Sequence, residues 1–303
     1  MERKSFSYIW KYKALYFMVL PGILYFVVFK YIPLAGIIIA FQDYNVFNGI
    51  RGSSFVGFKH FATLFNYAEF FQVLWNTISI NIYDMIIGFT APIILALMIH
   101  EIASMKFKRV VQQTVYLPHF LSWTILGGII TTQVLSPEYG LINMLLQWLG
   151  KDPIYFLIKP EMAKQIVVSA GVWRDTGWGT IIYLAALAGI NPNLYEAASI
   201  DGAGKIKQMW YITLPSLLSI VMILFLLKIG HFLDFGFERV WVFRNPANRQ
   251  ALEIFDTYIF QYGMLELRYS FSTAVGLFKS VVGLLLLFVA NKLSLKATGE
   301  SLF

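Results

Sequence analysis

The 303-residue chain contains no cysteine. Disulfides, thiolate metal sites and cysteine nucleophiles are therefore excluded. Histidine is nearly as scarce, and four residues scattered along the chain leave little for a metal cluster. Charge is thin too: Asp, Glu, Lys and Arg make up 14% of the chain, against about 25% in a soluble domain. A phosphate-cradling GxxxxGK[ST] loop, an HExxH zinc motif and an evident nucleophile and base pair are all missing. No catalytic residue, metal site or cofactor site is expected in this chain. Internal duplication, heptads, low-complexity tails and a separate soluble domain are not detectable either.

What fills the chain is apolar: 58% of residues are hydrophobic, 17% are aromatic, and the mean hydropathy is +0.64. A soluble domain is nearer 45 to 50% apolar, so the composition specifies an integral membrane protein. The net charge of +7 suggests nucleic acid in a soluble chain, but basic residues also gather beside the cytoplasmic ends of membrane spans. No nucleic-acid partner is implied. The opening MERKSFSYIWKYK precedes an apolar run too long for a signal peptide and without a small-residue cleavage site, so it is expected to remain as an anchor.

About 20 apolar residues cross a bilayer, and six stretches meet that demand: Ala14 to Phe41, Thr77 to Ile99, Val110 to Val134, Gln165 to Gly189, Pro215 to Leu233 and Phe271 to Leu293. An even number puts both termini on one side. Arg3, Lys4, Lys11 and Lys13, then Lys106, Lys108 and Arg109, then Lys205 and Lys207, then Lys292 and Lys296 all fall on that side in short segments. The opposite loops carry Lys151, Arg239, Arg244 and Arg249, but they are longer and rich in acids such as Asp43, Glu138, Asp152, Glu253 and Glu266. Base density places both termini inside the cell. On the opposite side, Gly52 to Phe65 and Tyr139 to Gly150 have the pattern of short interfacial helices.

Between the fourth and fifth spans lies one soluble-looking island, EAASIDGAGKIKQMWYITLP, from Glu196 to Pro215. Asn191 is a good N-cap and Pro192 suits the first helical position, so a short helix begins there. Gly202 and Gly204 break it. Ile206, Met209, Trp210 and Thr213 then recur at helical spacing into the next span, which makes a helix, a tight turn and a helix. The small Ala197, Ala198, Ser199 and Ala203 allow close approach by another surface, and Glu196 offers it a carboxylate. A loop that merely lies on the lipid has the same composition. A DNA-reading helix-turn-helix does not fit a segment tethered by spans on both sides.

Glu196, Ala197, Ala198, Asp201, Gly202 and Ala203, followed by Ile212, Leu214 and Pro215, resemble the EAA signature of binding-protein-dependent ABC importer permeases. Flanking segments extend the likeness from about Tyr16 to Lys292. The resemblance implies an all-α integral membrane protein with six transmembrane helices: a type I ABC importer permease bundle whose cytoplasmic coupling helix (EAA loop, 191–215) sits in a cleft on an ATPase. It divides the chain into an N-terminal segment 1–69, a transmembrane domain 70–293 and a cytoplasmic tail 294–303. The partners it implies are a second homologous permease subunit in a heterodimer, two ATPase subunits carrying ATP and Mg, and an extracellular solute-binding lipoprotein. The implied location is a bacterial cell membrane. Trp173 to Ala203 is similar to the branch that handles polysaccharide fragments, so the implied cargo is an oligosaccharide.

Charged and polar residues within spans are costly and usually face a partner or a wet cavity. Gly171, Arg174, Asp175 and Trp178 share one helical face in the fourth span, and aromatic faces beside bidentate polar groups suit a sugar ring. The same residues also suit a polar rim near the interface. In the fifth span Lys228, His231 and Phe235 fall at i, i+3 and i+7 beside Phe232 and Asp234. In related sugar permeases the spans on either side of the EAA loop supply substrate contacts, so both groups are candidates for the path. A helix-to-helix hydrogen bond is the simpler role for His231. Asp84 and Lys279 have opposite sign and are expected to pair inside the bundle. His119 and Trp123 lie one turn apart on the third span, a spacing that suits lining the path, but Pro118 beside them more simply marks a kink; Lys30 can snorkel from the first span.

Two rivals share these features. An ion-coupled carrier would use Asp84, Arg174 and Asp175 as a relay, although carriers commonly show inverted repeats. A membrane-embedded enzyme would use interfacial acids on lipid-linked sugars. The missing phosphate loop makes a direct prediction: the purified chain alone has no ATPase activity above a protein-free blank in a phosphate-release assay. Turnover by the chain alone contradicts the assignment.

Overall fold

A computed structural model describes residues 10–298. Arg3, Lys4 and the last five residues of the expected tail lie outside the described residues. The chain forms two compact units, one comprising the residues up to Tyr67 together with Ile259–Phe278, the other Ala68–Tyr258 with the residues from Lys279 onward.

The first unit begins with helix α1, Lys13–Phe41, apolar along its length and almost entirely exposed, as a helix bathed in lipid would be. It tightens to 3₁₀ geometry over Ala35–Phe41 before Gln42 turns extended. A two-residue antiparallel ribbon follows, β1 (Gln42–Asp43) against β2 (Ser54–Phe55), which the all-α expectation did not contain. Asn45 closes its loop, accepting from the Phe47 amide at 2.9 Å while its own amide donates to Ser53 Oγ at 3.0 Å. Lys59 Nζ donates to Asp43 Oδ2 at 2.6 Å. That hydrogen bond, opposed by slight desolvation and aided by the lysine's charge, holds the Asp43 carboxyl below the ordinary carboxylate range. Helix α2, Lys59–Asn66, buries Leu64 while Phe58 stays exposed. This is the one-sided pattern expected of an interfacial helix.

The second unit is built around two long helices, α3 (Ala68–His100) and, further along the chain, the 29-residue Pro160–Ala188. Between them the expected third span is interrupted. Helix α4 covers Met105–Tyr116, a 3₁₀ turn covers Leu117–Phe120, and helix α5 starts afresh at Trp123–Ile129. Pro118 lies inside that turn, and Ser122 caps the restart by accepting from the Ile125 amide at 3.3 Å. The chain is therefore broken there rather than simply kinked. Helix α6, Leu141–Trp148, is anchored through Asn143, whose side chain donates to the Ser136 and Ile154 carbonyls and accepts from the Ile154 amide. Helix α7, Pro160–Ala188, then begins with proline at its first position.

Helices α8 (Pro192–Ile200) and α9 (Lys205–Gly230) follow, then the short α10 (Phe237–Trp241) and α11 (Phe255–Phe260), and last α12 (Tyr269–Thr298). Among the described residues, four helices are by length and composition able to cross a membrane: Lys13–Phe41, Ala68–His100, Lys205–Gly230 and Tyr269–Lys296. The other two expected spans are the interrupted α4 and α5 pair and the charge-bearing α7. One core cluster of this unit gathers Ile80, Leu126, Val167, Val168, Val240 and Phe243, and a second gathers Ala96, Tyr183, Leu187 and Leu217. In both, residues of α3 meet residues of α7.

Gly177 is where α7 and α4 come closest, since a Cβ there would lie 1.9 Å from the Val115 carbonyl oxygen. Backbone cannot yield as a flexible side chain can. Gly177→Ala is therefore expected to cost about 1–3 kcal/mol through overpacking. Gly128, which has nothing within 4 Å of its added Cβ, is the matched control. The thermal unfolding midpoint of detergent-purified protein should fall for Gly177→Ala and stay at or rise slightly above the parental value for Gly128→Ala.

Candidate functional site

The island between α7 and α9 folds as its residues dictate. Asn191 caps α8, its side chain accepting from the Asn193 amide at 3.0 Å, and Pro192 occupies the first turn. At the other end the Gly202 amide donates to the Ser199 carbonyl at 3.1 Å and the Ala203 amide to the Ala198 carbonyl at 2.8 Å. These two bonds make a Schellman closure. Gly202 sits at φ +76°, where glycine alone avoids a Cβ penalty. The Gln208 side chain pins the turn from below, donating to Ser199 Oγ (2.8 Å) and the Ala203 carbonyl (2.9 Å).

Glu196, Ala197, Asp201 and Gly202 are exposed, Ala198 and Ala203 half-buried, and Ile200 reaches 86% exposure. Ile212 and Leu214 are half-buried and Pro215 exposed, because α9 runs through all three without a loop. Tyr195 Oη lies 3.0 Å from Thr213 Oγ1, and Lys205 Nζ donates to Glu101 Oε2 at 2.8 Å. Helix α8 is thus fastened to α9, and the start of α9 to Glu101, the cap of α3. A groove of about 690 Å³ opens along it, lined by Glu101, Tyr195, Glu196 and Gln208 among others.

A second group lies along α7. Arg174 donates to Asp175 Oδ1 (2.8 Å) and to the carbonyls of His119 (3.0 Å) and Leu121 (3.2 Å). Those carbonyls belong to the break between α4 and α5, so one guanidinium satisfies backbone that the interrupted helix leaves open. His119 Nδ1 lies 2.9 Å from Asp175 Oδ1, and the His119 ring stacks on Trp178 at 4.6 Å with 6° between planes. Phe120 meets the same indole edge-on, and Arg174 covers the Trp123 ring at 4.8 Å. Asp175 keeps 44% of its side chain exposed. Trp173 points elsewhere, into an apolar cavity of about 540 Å³ lined chiefly by aliphatic residues such as Leu126, Ile130 and Ile166.

Gly171 does not stand with this group. It is buried beneath the Arg239 guanidinium, which an added Cβ would strike at 1.9 Å. Arg239 Nη2 donates to Asp84 Oδ1 at 2.8 Å, and Lys228 Nζ to Asp84 Oδ2 at 2.9 Å. The expected Asp84 to Lys279 pair does not form: Lys279 instead pairs with Asp234 and Asp256. Sign alone chose the wrong partner, because Arg239, counted as a loop residue, reaches into the bundle. The expected stripe of Lys228, His231 and Phe235 is also broken. Helix α9 ends at Gly230, His231 is exposed and bonded to Asp234 at 3.1 Å, and Phe235 is buried under Arg239 at 4.1 Å. Phe232 lies half-buried in the turn after α9. The glycine at 171 was the signal for Arg239, since a glycine on a buried helix face leaves room for a side chain to cross it.

A helical bundle with ion pairs inside it, and with an exposed helix and turn fastened between the long α7 and the membrane-length α9, is the build of a membrane transport subunit. The chain belongs to the binding-protein-dependent transport system inner membrane component family, whose model matches residues 88–298. It is 46% identical to the polygalacturonan/rhamnogalacturonan transport system permease protein YteP of Bacillus subtilis, over 96% of this chain and 90% of that one. Protein LplB of the same organism is 44% identical over 96% and 91%. A bacterial alginate ABC transporter, solved in complex with an alginate pentasaccharide-bound periplasmic protein, contains a chain 37% identical with a TM-score of 0.89, covering 98% of this chain and 99% of that one.

The corrected pairing predicts which charges are coupled. In a double-mutant cycle on thermal stability, Asp84→Ala and Lys228→Ala should couple by more than about 0.5 kcal/mol, because they share a bond. Asp84→Ala and Lys279→Ala share no partner and should add within about 0.5 kcal/mol. Strong coupling in the second cycle contradicts the arrangement.

Proposed function

We propose that this chain is the permease subunit of an ATP-driven, binding-protein-dependent importer of acidic oligosaccharides derived from polysaccharides. It forms half of the membrane path with a second, homologous permease, and two ATPase subunits with ATP and Mg²⁺ drive it. An extracellular solute-binding lipoprotein delivers the sugar. Both termini face the cytoplasm of a bacterial cell, and the helix pair α8 and α9 docks on the ATPase. The substrates named for the polygalacturonan/rhamnogalacturonan permease and the alginate transporter support the choice of cargo.

The observation that carries the reading is the projecting helix pair. It is exposed on one face, closed by Gly202 and continuous with a membrane-length helix. A docking helix needs these properties, since movement at its surface reaches the span without a loop to absorb it. The path is assigned to the face where Asp175, His119 and Trp178 meet. A partly exposed carboxylate on a membrane helix turns to a wet cavity or a partner rather than to lipid. The indole offers a sugar's C–H face a flat surface, and Asp175 accepts from hydroxyls.

The test is the reconstituted complex, supplied with binding protein loaded with trigalacturonate. Gly202→Leu puts a branched side chain at positive φ, at a cost of about 1–2 kcal/mol, and bars close approach to the turn. Membrane insertion is expected to be normal, while ligand-stimulated ATP turnover and uptake fall together. Glu196→Ala is expected to do the same more mildly, through loss of a charge-assisted contact worth roughly 1.5–3 kcal/mol. Undiminished stimulation in Gly202→Leu overturns the docking role.

A further inference from the structure

On α7, residues 164, 168, 171, 175 and 178 repeat at helical spacing and form one stripe. Lys164 heads it. Its ammonium is half-buried and donates to Ser79 Oγ at 2.9 Å, and among the described residues no carboxylate pairs with it. Five residues beyond Ser79 on α3 stands Asp84, held by Arg239 and Lys228. Arg239 also donates to the Val167 and Val168 carbonyls and crosses Gly171 on the same stripe. Its guanidinium lies 5.7 Å from the centre of the Trp123 ring, and Arg174 lies 4.8 Å from that ring. The Asp84 cluster, Trp123 and the Arg174 to Asp175 pair are thus linked through Arg239, and Lys164 stands on the same stripe two turns before Gly171, roughly 15 Å from residue 174 along the helix axis.

These charges are unbalanced. Lys164, Lys228, Arg239 and Arg174 face Asp84 and Asp175, so Asp84 serves two cations and Lys164 is met only by a hydroxyl. Ionisable groups inside a membrane bundle are costly and mark pathways. A route for neutral sugars has no use for uncompensated positive charge, whereas a route for carboxylate-bearing sugars does. Lys164 is at the end of the stripe that the importer reading places toward the outside, where cargo enters.

We propose that Lys164 is a specificity residue that recognises a carboxylate of the entering acidic oligosaccharide, exchanging its neutral partner Ser79 for an oppositely charged one. This rests on the importer reading. The bond to Ser79 has one ionised partner, whereas a carboxylate makes both partners ionised and adds Coulombic attraction between opposite charges. The exchange is therefore favourable and reversible, as passage requires.

The test is a charge series in the full complex, reconstituted in proteoliposomes with its binding protein and trigalacturonate as the probe. Lys164→Arg keeps the charge, Lys164→Gln removes it and Lys164→Glu reverses it. Uptake should stay near parental in Lys164→Arg, fall about tenfold in Lys164→Gln, as loss of one charge-assisted bond implies, and fall further in Lys164→Glu. That order follows charge, which a purely packing role does not. Parental uptake in Lys164→Gln and Lys164→Glu overturns the proposal, as does equal loss of uptake in all three variants. A parental complex that stimulates ATP turnover yet imports no trigalacturonate overturns the choice of cargo, and this inference with it.

Discussion

The interior of the second unit depends on one carboxylate. Asp84 stands in an apolar helix, and taking an ion of its size out of water costs several kcal/mol even after relaxation. Its two oxygens are bonded to different cations, Lys228 from α9 and Arg239 from the segment after it. The pairing makes burial tolerable, and it also decides what can be adjacent. Gly171 must be glycine-sized for the guanidinium to cross α7, Phe235 must leave the end of α9 to lie under it, and the Val167 and Val168 carbonyls accept from its Nε and Nη2. Three stretches distant in the chain are brought to one point by a charge that cannot stay unpaired.

The second polar centre answers a different need. Breaking a membrane helix exposes peptide carbonyls that lipid cannot satisfy. Arg174 supplies donors to the carbonyls of His119 and Leu121 and is itself neutralised by Asp175. The interruption between α4 and α5 can therefore persist within the bundle. Because Asp175 also holds His119, which stacks on Trp178, the residues that support the backbone orient the aromatic face beside it. Support and candidate binding surface are the same few side chains.

Local features were legible in the sequence, and long-range ones less so. Asn191, Pro192 and Gly202 specify a cap, a first turn and a positive-φ closure using residues within a dozen positions of one another, so the helix pair was readable almost to the atom. The long apolar helices were equally plain, since length and composition suffice. Misreadings came where a partner was distant. Opposite sign suggested Lys279 for Asp84, but which cation arrives depends on how the chain folds back after α9. Periodicity carried Lys228 on to His231 and Phe235, but the helix stops at Gly230, before either of them. Lys164 gave no signal as a single base at a helix start; its meaning depends on which acids are absent around it in space.

Helix α9 has a further consequence. From Lys205 to Lys228 it runs unbroken, about 35 Å at 1.5 Å per residue, with Lys205 bonded to Glu101 at one end and Lys228 to Asp84 at the other. Asp84 lies on α3, and Glu101 caps its C-terminal end. The two helices are therefore riveted at two points like the rails of a ladder, a geometry that resists shear between them but allows them to rock together. A torque applied at the projecting pair would turn both rails as one body, and the buried carboxylate at the far rivet would move with them.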